Sequence, residues 1–262
     1  MCGIAGYSLN ARSELDRTLA AQALLAGIAE RGADAVGYAY RAGAADVTVR
    51  KQRSGASALL EQIAIPAAAT QVLLHVRDYT KGHPSIEANN HPVRHGAVVG
   101  VHNGIIVNDD DLFATLAIER AHPQITVDSE IIFAVAERSR GTTARALERL
   151  YGSMATAWLD EQRPELILAR GMGRPLWIGL GRDAAFFAST RAALELVERY
   201  AAPRLRKLEL REGTLFALHE GEVVACERFR PDLSFQETPL PSVRAPEERL
   251  HCLAALAALA AA

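Results

Sequence analysis

Cys2 stands directly behind Met1, and a small second residue permits removal of an initiator methionine. Cys2 would then carry a thiol and a free α-amino group on one residue. The amine ordinarily titrates at about 7.7–8.0 and the thiol at about 8.5. An amine in that range accepts a thiol proton, directly or through water, while remaining partly neutral at pH 7. Nucleophile and base would come from a single residue. Taken alone, a cysteine here reads equally as a small buried side chain.

Three further segments hold groups suited to amide chemistry. In 72–82, Val72, Leu74 and Val76 alternate as the apolar face of a strand, which sends His75 and Arg77 to the other face. Arg77 falls where the strand gives way to a loop. Its guanidinium can grip a carboxylate through two parallel hydrogen bonds, and Thr80 adds a hydroxyl nearby. A structural ion pair is the alternative. In 97–106 a strand runs into His102, Asn103 and Gly104. A side-chain amide beside a glycine N–H makes a candidate oxyanion hole, because such donors are fixed before charge develops. Asn-Gly is equally the commonest hairpin-turn pair. Asp128 and Ser129 precede a run of Glu130, Ile131, Ile132 and Phe133. Either can cap a helix, and the Asp128 carboxylate could also face an ammonium group. His91 and His95 have Pro92 between them, which argues against a helix presenting both, so no metal pair is read there.

The elements that must position these groups are short and mixed. Segments 4–8, 36–41, 72–76, 97–101, 154–159 and 165–169 read as strands. Segment 13–30 reads as a helix capped by Ser13 and stopped at Gly32. Segments 110–118, 129–138 and 142–150 read as further helices, and 175–226 is rich in strands. Without regular alternation the pattern predicts α+β layers rather than a doubly wound sheet. From 231 the composition changes, and Pro231, Pro239, Pro241 and Pro246 hold the chain extended. The reading is a domain over 2–230, then a tail leaving it over 231–262 that ends in a helix from Glu247 to Ala262.

Composition sets outer limits. The 262 residues suit one large or two small domains. Lys and Arg number 29 against 31 Asp and Glu, a net charge of −2, so no bulk positive field gathers nucleic acid. Cys2, Cys226 and Cys252 are too few and too scattered for a disulfide framework or a zinc site, and they suit a reducing cytoplasm. The apolar run 253–262 is about half the ~20 residues that span a bilayer, and no signal-peptide pattern opens the chain, so no membrane partner is expected. The pairs Gly171 with Gly173 and Gly179 with Gly181 are too short to be phosphate loops, and no cofactor is expected.

Six segments carry a resemblance in one order: Cys2-Gly3-Ile4-Ala5-Gly6; Arg31-Gly32-Ala33-Asp34 with Gly37; His75-Val76-Arg77; Asn90-His91-Pro92; His102-Asn103-Gly104-Ile105-Ile106; and Asp128-Ser129-Glu130. Over about 2–230 the chain resembles the class II, N-terminal-cysteine glutamine amidotransferases, most of all the glutaminase half of glucosamine-6-phosphate synthase. The resemblance implies an Ntn-hydrolase fold, an αββα four-layer sandwich. It implies L-glutamine hydrolysis to glutamate and ammonia through a Cys2 thioester. Cys2 resembles the nucleophile, Asn103 and the Gly104 N–H the oxyanion hole, Arg77 with Thr80 the α-carboxylate clamp, Asp128 the α-ammonium partner, and Arg31 a support for the nucleophile. An ammonia-accepting synthase subunit is the implied partner. Two alternatives are a stand-alone Ntn amidase acting on another γ-glutamyl or acyl amide, and a non-catalytic regulatory module. Asp78 stands where the family has an aromatic residue, placed to compete for Arg77, and Lys81 stands where it has a histidine.

Overall fold

Alternating side chains build the layers. The computed structural model describes residues 1–43, 46–201, 204–237 and 241–261; Pro239 and Ala262 of the expected tail lie outside the described residues. The chain runs β1 (Gly3–Leu9), α1 (Arg17–Ile28), β2 (Ala35–Ala42), β3 (Val47–Gln52), α2 (Ser57–Leu60), β4 (Ala69–Arg77), β5 (Val93–His95) and β6 (Val98–Ile106). It continues through α3 (Asp109–Leu116), α4 (Glu130–Arg138), α5 (Thr143–Leu147), β7 (Gly152–Asp160), β8 (Leu166–Arg170), β9 (Trp177–Leu180) and β10 (Ala184–Ala188). It closes with α6 (Arg191–Tyr200), β11 (Arg206–Glu209), β12 (Thr214–His219), β13 (Glu222–Arg228) and α7 (Pro246–Leu259).

Among the described residues the strands form two sheets, ordered β11-β9-β10-β1-β4-β2-β3 and β13-β12-β8-β7-β6-β5, and the pairings are antiparallel. Three apolar layers follow from the strand period of two. Val72, Leu74 and Val76 of β4 pack outward with Ala23, Leu24 and Ile28 of α1. Ile4, Leu73, Val99, Val101, Ala155 and Phe187 fill the space between the sheets. Val98, Ile106, Met154 and Trp158 pack outward against Ile132 and Phe133 of α4. Two stacked sheets between helical layers are the α+β layers the pattern predicts and the four layers the resemblance implies.

Boundaries differ where local signals compete. Helix α1 starts at Arg17, and Asp16, not Ser13, caps it by accepting from Leu19 N at 2.9 Å. Strand β6 runs through Asn103 and Gly104 to Ile106, so Asn-Gly makes no hairpin turn; Asn103 pairs with Ala155 and Gly104 with Met154. The segment after 230 does not leave the domain. Helix α7 packs on α1 and α2, and its Cys252 and Leu256 are fully buried with the residues of α1. Glu248 accepts from Ser57 N at 2.8 Å and Ser57 Oγ at 3.1 Å, and Arg249 pairs with Glu30 at 2.8 Å. The physical reason is the alanine-rich face, which finds an apolar surface on α1 and removes it from water. Among the described residues no helix is long and apolar enough to cross a membrane.

This docking makes a stability prediction. Leu256→Ala should cost about 2–4 kcal/mol in urea unfolding, whereas Leu250→Ala, at a side chain 66% exposed on the same helix, should cost little. Equal effects would contradict a docked α7.

Candidate active site

Antiparallel register brings the singled-out residues to one end of the sheets. In the seven-stranded sheet β1 lies between β10 and β4, and Gly3 pairs with Val76. Cys2 therefore enters the sheet beside Arg77, the last residue of β4. In the facing sheet β6 packs against β1 and β4, which sets Asn103 and Gly104 in the opposite wall.

The Cys2 thiol donates to Asp78 O at 3.4 Å, and Arg31 Nε donates to Cys2 O at 2.8 Å. Arg31 ends a short 3-10 turn, Ala29–Arg31, and Gly32 follows it against the Arg77 backbone, where a β-carbon would collide. Burial pushes the Cys2 thiol above its ordinary value, against the opposing pull of the Asp78 backbone and the Arg77 charge. The resting sulfur is thus a thiol that needs a base.

Arg77 is buried, and its guanidinium donates to Asn90 Oδ1, to Lys81 O at 2.9 Å and to Gly82 O. Those bonds use three of the five guanidinium N–H groups. Asn90 is itself anchored, its Nδ2 donating to Pro84 O at 2.8 Å. Asp78 does not compete for Arg77, because its carboxylate is taken by the Met1 amine and Arg244. Lys81 turns away too, to Asp109 at 2.7 Å and Asp110 at 3.0 Å. Thr80 is exposed in the loop, and the bonds to Arg77 come from Lys81 and Gly82 instead.

Asn103 is buried, and neither of its amide atoms has a hydrogen-bond partner among the described residues. An unbonded buried amide costs stability, so its retention points to a ligand. Gly104 next to it has φ +147°, and a β-carbon there would strike Ser153 O. Asp128 lies behind the same strand end, its Oδ2 accepting from Ile106 N at 2.7 Å. Burial pushes its carboxyl up to about 6, helped by the Asp109 charge and opposed by the Ile106 N–H and Lys81. Ser129 makes no cap bond to its helix; its hydroxyl lies 2.9 Å from His102 Nδ1.

Three buried histidines surround this end of the sheets: His75 and His91 stack on the inter-sheet side, and His102 lies on the face of β6 that α4 covers. His75 Nε2 lies 3.1 Å from His102 O, and His102 Nε2 lies 3.2 Å from Ser153 O. A carbonyl only accepts, so both Nε2 atoms carry the proton and His102 Nδ1 accepts from Ser129. The rings of His75 and His91 stack at 4.1 Å. Burial lowers His75 and His102 to about 3 and His91 well below its ordinary value, so all three are neutral packing and positioning groups. Among the described residues no group of three or more His, Cys, Asp or Glu gathers to hold a metal ion.

Residues outside the candidate set complete the rim. Arg174, almost fully buried, lies with Nη1 against Met1 Sδ at 2.6 Å and Nη2 on Glu237. Ser153 Oγ donates to Glu237 at 2.9 Å. Glu237 is 63 residues from Arg174 in the chain.

Comparison with known proteins bears on the family and the fold. Residues 75–196 match a family model described as a glutamine amidotransferase domain. Glutamine–fructose-6-phosphate aminotransferase (isomerizing) of Escherichia coli is 35% identical over 211 residues, covering 76% of this chain and 33% of that protein. The Aliivibrio fischeri enzyme of the same name is 34% identical over 159 residues, covering 58% and 25%. The chain thus spans about a third or less of the length of these curated relatives. Among solved structures, the glutamine phosphoribosylpyrophosphate amidotransferase of B. subtilis superposes with a TM-score of 0.68 at 22% identity, over 87% of this chain and 49% of that one. An allosteric regulatory enzyme of purine biosynthesis superposes with a TM-score of 0.70 at 22% identity, with the same two coverages. These superpositions show the shared Ntn fold.

The raised Asp128 carboxyl makes a prediction with a definite sign. Between about pH 4, the unfolded value, and about pH 6, the folded one, the native state holds more protons, so stability falls as pH rises. Above that window the ionised group carries its full burial cost. Asp128→Asn should therefore be more stable than wild type at pH 7, with the difference shrinking as pH falls to about 4. Urea unfolding across pH 4–7 checks it, and a pH-independent difference would contradict the shift.

Proposed function

From the premise that this chain carries a class II glutamine amidotransferase domain, an N-terminal-cysteine enzyme domain, we propose that it hydrolyses L-glutamine to glutamate and ammonia with Cys2 as nucleophile. The observation that carries the reading is Asn103, a buried amide without a bonded partner among the described residues, in the wall facing the strand that Cys2 immediately precedes.

With Met1 removed, the Cys2 α-amine takes the thiol proton and the sulfur attacks the glutamine side-chain carbonyl. Asn103 Nδ2 and the Gly104 N–H meet the oxygen as it gains charge, and their strand pairing fixes them beforehand. The amine returns its proton to the nitrogen as the C–N bond breaks, ammonia leaves, and a γ-glutamyl thioester remains. Water activated by the same amine then releases glutamate.

Two charged groups address the zwitterionic end. Arg77, braced by Asn90, Lys81 O and Gly82 O, retains two N–H groups for the α-carboxylate. Asp128 takes the α-ammonium, whose charge would favour the ionised carboxyl that burial disfavours. Thr80 contributes from the loop when substrate binds, and Arg31 holds the Cys2 carbonyl. Asparagine would place its carboxamide one methylene short, so positioning alone discriminates against it.

The likeness to an aminotransferase supports a further step, delivery of the ammonia to a synthase domain or subunit. Cys2→Ala and Cys2→Ser should lose glutamine hydrolysis. Asn103→Ala should lower kcat by about 100- to 1000-fold with little change in KM, and Arg77→Ala should act chiefly on KM. Ammonia release by either Cys2 variant at the wild-type rate would overturn the reading.

A further inference from the structure

Two residues beside the amino terminus have no part in the reaction just described. The Asp78 carboxylate accepts from the Met1 amine. Arg244, from the segment before α7, directs its Nε to the same carboxylate, 3.2 Å from Oδ2 and 3.4 Å from Oδ1. Arg244 is fixed by its backbone. Arg244 N and Ala245 N donate to Glu30 O at 2.8 and 2.9 Å. Glu30 precedes Arg31, which holds the Cys2 carbonyl. The segment before α7 thus approaches Cys2 from two sides, through Asp78 and through Glu30.

We propose that Asp78 and Arg244 form a charge pair that sets the basicity of the Cys2 α-amine, with Arg244 a positioning residue supplied by the C-terminal segment. The inference rests on the glutaminase reading and deepens it. The Cys2 nitrogen lies one residue from the Met1 nitrogen, a span of about 3.8 Å at most. Loss of Met1 therefore leaves the new amine within Coulombic reach of the Asp78 carboxylate. That carboxylate favours the ammonium form and withholds the base. Arg244 shares the carboxylate and offsets it.

Other charges face the same point. Arg31 from the 3-10 turn, Arg77 from β4 and Arg174 against Met1 disfavour the ammonium, as Arg244 does. Asp34, which accepts from Tyr79 N at 2.9 Å, and Glu237, which pairs with Arg174, favour it. Within this set Asp78 is the carboxylate bonded to the amino terminus, and Arg244 is the cation bonded to Asp78. An uncharged aromatic at 78, as in the family this chain resembles, would need no such counter-charge.

The test is the pH profile of kcat/KM for glutamine hydrolysis by the full chain, with loss of Met1 verified by mass. The acid limb reports the amine that must be neutral to act. Asp78→Asn should move that limb to lower pH, and Arg244→Gln should move it to higher pH, each by about half a unit or more. Arg244→Lys should restore the wild-type profile. Arg244→Gln on top of Asp78→Asn should add no further shift, because the guanidinium has lost its anchor. Superimposed single-variant profiles, or shifts in the same direction, would overturn the inference while leaving an active wild type as a glutaminase. A processed wild type without Cys2-dependent hydrolysis would overturn the glutaminase reading and the inference with it.

Discussion

Polar side chains buried between two sheets must find partners in the protein, and the candidate site is organised by that demand. The inter-sheet layer is apolar along most of its length, with Leu73, Val99, Val101 and Ala157 at its centre. At one end of the sheets lie Arg77 and Asn103, with Asp128 and the histidines around them. Each bonded group there has an identifiable brace: Asn90 and two carbonyls for Arg77, the Ile106 N–H for Asp128, Ser153 O for His102. Among the described residues neither Asn103 amide atom has a partner; the His91 ring nitrogens also have none, but that ring stacks on His75. A fully satisfied cluster would read as a packed polar core; a free amide held on a paired strand opposite Cys2 reads as a site.

The bracing also explains how distant elements cooperate. Register in β1 and β4 sets Cys2 beside Arg77, and register in β6 and β7 fixes Asn103 and Gly104. A one-residue slip in either pair would turn these side chains to the helix-covered face. Histidines 75, 91 and 102 are held neutral by burial. They add no positive charge beside Arg77; His75 and His91 stack between the sheets, and His102 bonds to Ser129 and Ser153 O on the helix side of β6.

Much of the arrangement was legible because its signals are local. Strand β4 announces itself by period-two apolar residues that end at Arg77, and the ordered motifs named residues that the register gathers at one end of the sheets. What was not legible depends on tertiary context. Turn propensity placed the end of β6 before Asn103, whereas pairing with Ala155 and Met154 carries the strand onward. Ser13 looked able to cap α1, but the chain geometry gives that place to Asp16. Thr80 and Lys81 are read near Arg77 by sequence, but loop conformation offers the Lys81 carbonyl and not the side chains. The prolines after 230 suggested departure; only the surface of α1 reveals where α7 returns. Arg174 and Glu237 meet across a separation that no spacing rule spans.

The account stands or falls on the sulfur of Cys2 attacking the side-chain carbonyl of a bound amino acid. Intact-mass analysis after reaction with an electrophilic glutamine analogue tests this most directly. The account predicts loss of Met1 and a single adduct on Cys2, formed more slowly when glutamine is present. A processed chain that stays unlabelled, or one labelled instead at the exposed Cys226, would contradict it.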